Sequence, residues 1–125
     1  MLRENLDPVS TIIGLDTKIL AGAVFAEVVA DATLAGDIRA IAAKHAVTDS
    51  QIDAAARFEL PAENPKLRAA LTLARAASPS PARIDADVVA ACREGGLSAP
   101  AIVELVCWLS VLQMLHRLFC FCARP

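Results

Sequence analysis

Two thiols stand close together near the end of the chain, Cys120 and Cys122, just behind His116 and Arg117. A cation beside a thiol favours the thiolate, the form that attacks a peroxide, so Cys120, Cys122 and Arg117 are the candidates for thiol chemistry. On a helix, however, residues i and i+2 point about 200° apart, and a disulfide between them requires the terminus to unwind. His116 and Cys120 share a helical face, with Met114 nearby as a further soft donor, but two ligands do not complete a metal site. Neither a metal nor a cofactor is expected.

A second group has acid–base character. Glu27 and Asp31 lie one turn apart, and Asp37 and His45 come after them. Glu27 has the apolar neighbours Val24, Phe25 and Val28, which predicts a partly buried carboxylate with a raised pKa. Glu27 and His45 are therefore the candidates for proton transfer, against a solvated face as the structural alternative. Farther on, Ser110, Gln113 and Arg117 at i, i+3 and i+7 form a polar stripe that lines a pocket or bonds across a subunit contact, with Glu104 roughly opposite.

These residues need a frame, and composition says which kind. The chain has 125 residues, enough for one domain with a real core, and 56% of them are hydrophobic. Aromatics are scarce and Tyr is absent, while Ala is abundant, so burial must come from Ala, Val, Leu and Ile on helices. A net charge of −2 offers no excess of cations for phosphates. Nucleic acid and anionic membrane are accordingly excluded as expected partners. The N-terminus shows no apolar secretion segment, and the apolar run from Ala101 to Phe121 carries Glu104, His116 and Arg117, which are costly in a bilayer centre. The expectation is a cytoplasmic protein with reduced thiols and a buried final helix.

Periodicity and end signals predict about six helices and no strand. Residues 1–15 read as an N-terminal arm, and 16–125 as one helical domain. Helix one runs from an Asp16 or Thr17 cap to about Ala32, Gly36 marks a break, and a second helix continues to Lys44. Thr48-Asp49-Ser50-Gln51 is a capping box opening a third helix that ends near Phe58. Asn64-Pro65 opens a fourth, ending near Ser78, and Asp85 opens a fifth, ended by Gly95-Gly96. Ser98 caps a last helix running beyond Phe119. It is apolar nearly all round, which calls for contacts on more than one side, within the core or across a subunit interface.

The stretch from Ile84 to Arg117, IDADVVAACREGGLSAPAIVELVCWLSVLQMLHR, resembles the closing helical pair of the alkylhydroperoxidase D-like, or carboxymuconolactone decarboxylase, family. Asp85 and Asp87 open the helix, Gly96-Leu97-Ser98 ends it, Ile102 to Leu105 comes next, and Arg117 closes the following helix. Pro65 to Ala76 is similar to that family's central helix, and Ala42 to Ile52 to its Ala-rich helix end and turn. The resemblance implies an all-α bundle and a homo-oligomer, a trimer or a hexamer. The family's chemistry rests on a Cys-x-x-Cys-x-x-x-His motif, whose three positions fall here on Asp31, Leu34 and Ile38, and no thiol occurs between Met1 and Ala91. The expectation is a member that has lost the peroxidatic dithiol and serves as an oligomeric small-molecule-binding or assembly scaffold. The alternatives are a thiol-dependent peroxidase using Cys120 or Cys122, and a decarboxylase-like acid–base enzyme using Glu27 or His45.

Overall fold

The computed structural model describes residues 13–60, 63–78 and 85–122, with side chains as far as Leu118. Among these residues there are six helices and no strand. They are α1 (Leu15–Val28), α2 (Ala32–Ala43), α3 (Asp49–Ala56), α4 (Pro65–Ala77), α5 (Ala86–Glu94) and α6 (Ala99–Cys122).

The helix at the centre is α1, which packs on α2, α3, α4 and α6. Every residue from Lys18 to Ala26 is buried, so this helix has no solvent face in its middle turns. Its small residues explain how four neighbours fit around it. A Cβ on Gly22 would stand 2.7 Å from the Ile38 side chain and 3.6 Å from that of Leu112, so α2 and α6 approach α1 where it has no side chain. The final helix, expected to be the buried one, is covered on one side only. Trp108, Leu105 and Leu112 are fully buried, while Val103, Met114 and Leu118 of the same helix are exposed.

The predicted starts of four helices are present in atomic detail. Thr48 and Gln51 form the reciprocal capping box, Asn64 caps α4 ahead of Pro65, Asp85 caps α5, and the Ser98 hydroxyl accepts the Ala101 amide at 3.2 Å. Two boundaries differ from expectation. The N-cap of α1 is Gly14, not Asp16 or Thr17, because the Ile13 amide is drawn to Glu104 and the helix starts directly afterwards. Gly36 lies inside α2 rather than in a break. The real break is at Ala30, whose φ of 55° ends α1, and Asp31 then caps α2 by accepting the Leu34 amide at 2.9 Å.

Four helices end the same way. Ala30, Ala46, Phe58 and Gly96 are left-handed. In each case the next amide donates back across the last turn, Asp31 to Ala26, Val47 to Ala42, Glu59 to Ala54 and Leu97 to Cys92. This is the Schellman closure, built at three of the four positions without glycine. Of the predicted arm, residues 1–12 lie outside the described residues, while Ile13 is buried against the core.

Candidate functional site

Polar groups inside an apolar bundle must be paired, and α6 pairs two of them with α1 and its C-terminal corner. Glu104, Trp108, Leu112 and His116 follow one another at i+4, so they form one stripe along α6. Glu104 Oε1 lies 3.2 Å from Lys18 Nζ, and its other oxygen accepts the Ile13 amide at 2.6 Å. The Trp108 indole N–H donates to the Lys18 carbonyl at 2.8 Å. At the other end of the stripe, His116 Nδ1 meets Asp31 Oδ2 at 2.7 Å, with the Phe25 ring edge-on to the imidazole at a centroid distance of 6.3 Å. These partners ascend both helices together, so α1 and α6 run side by side in the same direction.

The electrostatics of Asp31 follow from its neighbours. Burial raises its carboxyl pKa, but the His116 hydrogen bond, the Leu34 and Thr33 amides at the start of α2 and the charge of His116 outweigh that, leaving it below the ordinary value of 3.8. An ionised carboxylate only accepts, so Nδ1 of His116 is the nitrogen that carries the hydrogen. A carboxylate that fixes the tautomer and the plane of an imidazole is also the arrangement that orients a general base.

The residues singled out from the sequence are not brought together. Glu27 is exposed, not partly buried, because the last turn of α1 leaves the core before Ala30. His45 is exposed in the turn after α2, and Asp37 is exposed on α2. Among the described residues neither Glu27 nor His45 makes an ion pair. Arg117 is exposed beside His116. The backbone of α6 continues through Cys122, and the side chains of Cys120 and Cys122 lie outside the described residues. Of the polar stripe, Ser110 and Arg117 are exposed and Gln113 is half-buried, with the Ser110 hydroxyl donating to the Val106 carbonyl of its own helix at 2.8 Å. Glu104 does project away from it, toward Lys18.

Cys92 is fully buried, its thiol within 3.7 Å of the Ala69 carbonyl, and burial pushes its pKa up, away from the reactive thiolate. Among the described residues no three His, Cys, Asp or Glu side chains converge. A cavity of about 220 Å³ lies between the starts of α1, α4 and α6, lined by Gly14, Thr17, Lys66, Leu97 and Ser98 among others. That is fragment-sized, below the usual volume of a drug-sized ligand pocket.

Sequence reasoning missed both pairs that tie α6 to α1 and the start of α2. Lys18, directly ahead of the apolar run Ile19 to Ala26, was the available signal, since a charge at a buried register demands a partner. In comparisons with protein-family models, curated proteins and solved structures, nothing matches this chain.

Proposed function

We propose that this chain is a divergent protein of the alkylhydroperoxidase D-like type that has given up dithiol chemistry and works, in a reducing compartment, as an oligomeric small-molecule-binding or assembly scaffold. One observation carries the reading. The three positions on which the resemblance places the reactive motif are all occupied structurally: Asp31 caps α2 and holds His116, and Leu34 and Ile38 are core side chains with 0% and 1% exposure. A thiol pair at 31 and 34 would cost the bundle a helix cap and a core leucine. The six-helix all-α architecture and the half-covered α6 support the same reading, the second because an apolar helix with an open side is suited to contact with another chain.

The test is intact mass and thiol titration of the reduced full-length protein before and after a few equivalents of hydrogen peroxide. The scaffold reading expects no 2 Da loss and no catalytic peroxide consumption. A rapid loss of two thiols with a 2 Da decrease, abolished by Cys120→Ser with Cys122→Ser, would replace it with the thiol-dependent peroxidase.

A further inference from the structure

The cavity of about 220 Å³ between the starts of α1, α4 and α6 has a sorted lining. Its floor is apolar, with Ile13, Leu97 and Ala101 at 5%, 4% and 4% exposure. Its polar side chains are one cation and two hydroxyls, Lys66, Thr17 and Ser98. Lys66 and Ser98 are exposed and Thr17 half-buried, so the polar groups stand at the mouth. Among the described residues no acidic side chain lines the cavity. Glu104, one turn beyond Ala101, is engaged by Lys18 and the Ile13 amide, the Asp16 carboxylate accepts the Thr17 amide, and Glu94 lines a different cleft, between α4 and α5.

Lys66 is laid in place rather than loose on the surface. A Cβ on Gly96 would stand 3.3 Å from its Cγ and Cε, so the lysine stem runs close along the bare backbone of that glycine. Gly96, left-handed at φ 99°, thus ends α5 and beds the cation of the cavity in one position. Among the described residues Lys66 enters no ion pair. The Ser98 hydroxyl accepts the Ala101 amide at 3.2 Å and keeps its hydrogen for another acceptor, and the Thr17 hydroxyl can donate likewise.

Donors at the mouth and an apolar floor suit an amphiphilic anion. The charges narrow the class. One lysine balances one negative charge, whereas a phosphate dianion calls for more cations than this lining offers, and no arginine fork is among them. A bare inorganic ion would leave the floor uncovered, and the small volume admits only a short tail. We infer that this cavity binds a short-chain aliphatic monocarboxylate, with the carboxylate at Lys66, Thr17 and Ser98 and the tail on Ile13, Leu97 and Ala101. The inference rests on the small-molecule-binding form of the reading above and adds the site and the ligand class. Because α1 has 14 residues, the cavity lies roughly 20 Å from the Asp31–His116 corner at the other end of that helix, and the two are separate sites.

Amide-resolved NMR of the full chain titrated with hexanoate tests it, with hexanamide and inorganic phosphate as comparisons and a panel of neutral, cationic and aromatic fragments beside them. The expected result is saturable shifts at the Gly14, Gly96 and Leu97 amides. Affinity should fall about ten-fold for hexanamide, which keeps the shape without the charge, and about ten-fold for hexanoate in Lys66→Met, which keeps an apolar stem on Gly96. Thr17→Val should weaken hexanoate about three-fold. Circular dichroism should show both variants folded, since neither position is buried. Hexanoate binding that is indifferent to Lys66→Met, or matched by hexanamide or phosphate, would overturn the ligand class. Saturable shifts confined to the Asp31–His116 corner, or fragments that bind elsewhere while hexanoate does not bind here, would overturn the site and leave the small-molecule reading standing. No saturable shift with any compound would refute both.

Discussion

His116 and Asp31 are joined at 2.7 Å across 85 positions of sequence, and the carboxylate that holds the imidazole is the same one that caps α2. One side chain thus fixes the corner between α1 and α2 and ties the far half of α6 to it. Substitutions at position 31 separate the two roles. Asp31→Asn keeps a capping oxygen and loses the charged link to His116, whereas Asp31→Ala loses both. The expected costs in urea unfolding are about 1 kcal/mol for Asn and about 2–3 kcal/mol for Ala.

The same carboxylate sets an acid limit. Its pKa is lower in the folded chain than the ordinary value of 3.8, so near that pH the unfolded state binds more protons than the folded one. The stabilisation is complete above the ordinary carboxylate range and disappears as pH falls through the lowered folded value. A series of unfolding curves from pH 7 to pH 2.5 should show this loss, and in Asp31→Asn the acid limb should be shallower. Parallel limbs in the two proteins would contradict the assignment.

The Lys18–Glu104 contact predicts a different pattern. Lys18 is 2% exposed and Glu104 19%, so removing the cation leaves a half-shielded carboxylate rather than a fully buried one. Lys18→Met should cost about 2–4 kcal/mol, somewhat under the range for a wholly buried pair. Adding Glu104→Gln, which keeps an acceptor for the Ile13 amide, should recover part of that loss. A double mutant no more stable than the single one would show that the charge is not what matters there.

Backbone conformation yields paired substitutions of opposite residue type and the same sign. Gly36 lies in α2, where an added Cβ would meet nothing within 4 Å, and Gly36→Ala should stabilise by about 0.5–1 kcal/mol. Ala46 is exposed and left-handed at φ 59°, and Ala46→Gly should stabilise by a similar amount, roughly 0.5–1 kcal/mol, through relief of the αL strain. Gly95→Ala should do the reverse, since its Cβ would stand 2.6 Å from that of Ala69 and 3.0 Å from the Pro65 carbonyl. A loss of about 1–3 kcal/mol is expected. Thermal unfolding of the three proteins checks all three signs.

These positions also show where sequence was informative. Helix starts were legible at Thr48, Asn64, Asp85 and Ser98 because a cap is a local matter, one side-chain oxygen and an amide three residues on. Helix ends were legible to within a residue or two at Lys44, Phe58 and Gly95-Gly96 and illegible at Ala30, because alanine ordinarily extends a helix, and only surrounding structure holds it left-handed. The site was harder still. Glu27 looked partly buried from its neighbours, but whether the end of α1 stays in the core depends on where Ala30 turns the chain. Lys18 and Glu104, like Asp31 and His116, meet only when α6 is laid along α1, and no local pattern encodes that contact. The open strip on α6 was half legible: its apolar character called for contacts on more than one side, and the fold decides which side remains for a partner.

Sedimentation velocity of the full chain over a wide concentration range, wild type beside Met114→Glu, decides whether the protein assembles through α6. The 13.1 kDa chain should sediment as an oligomer, and a charge at Met114, among the exposed apolar residues of α6, should return it to monomer, with helicity by circular dichroism unchanged. A wild type that stays monomeric at every concentration, or an assembly indifferent to Met114→Glu, would contradict assembly through this helix.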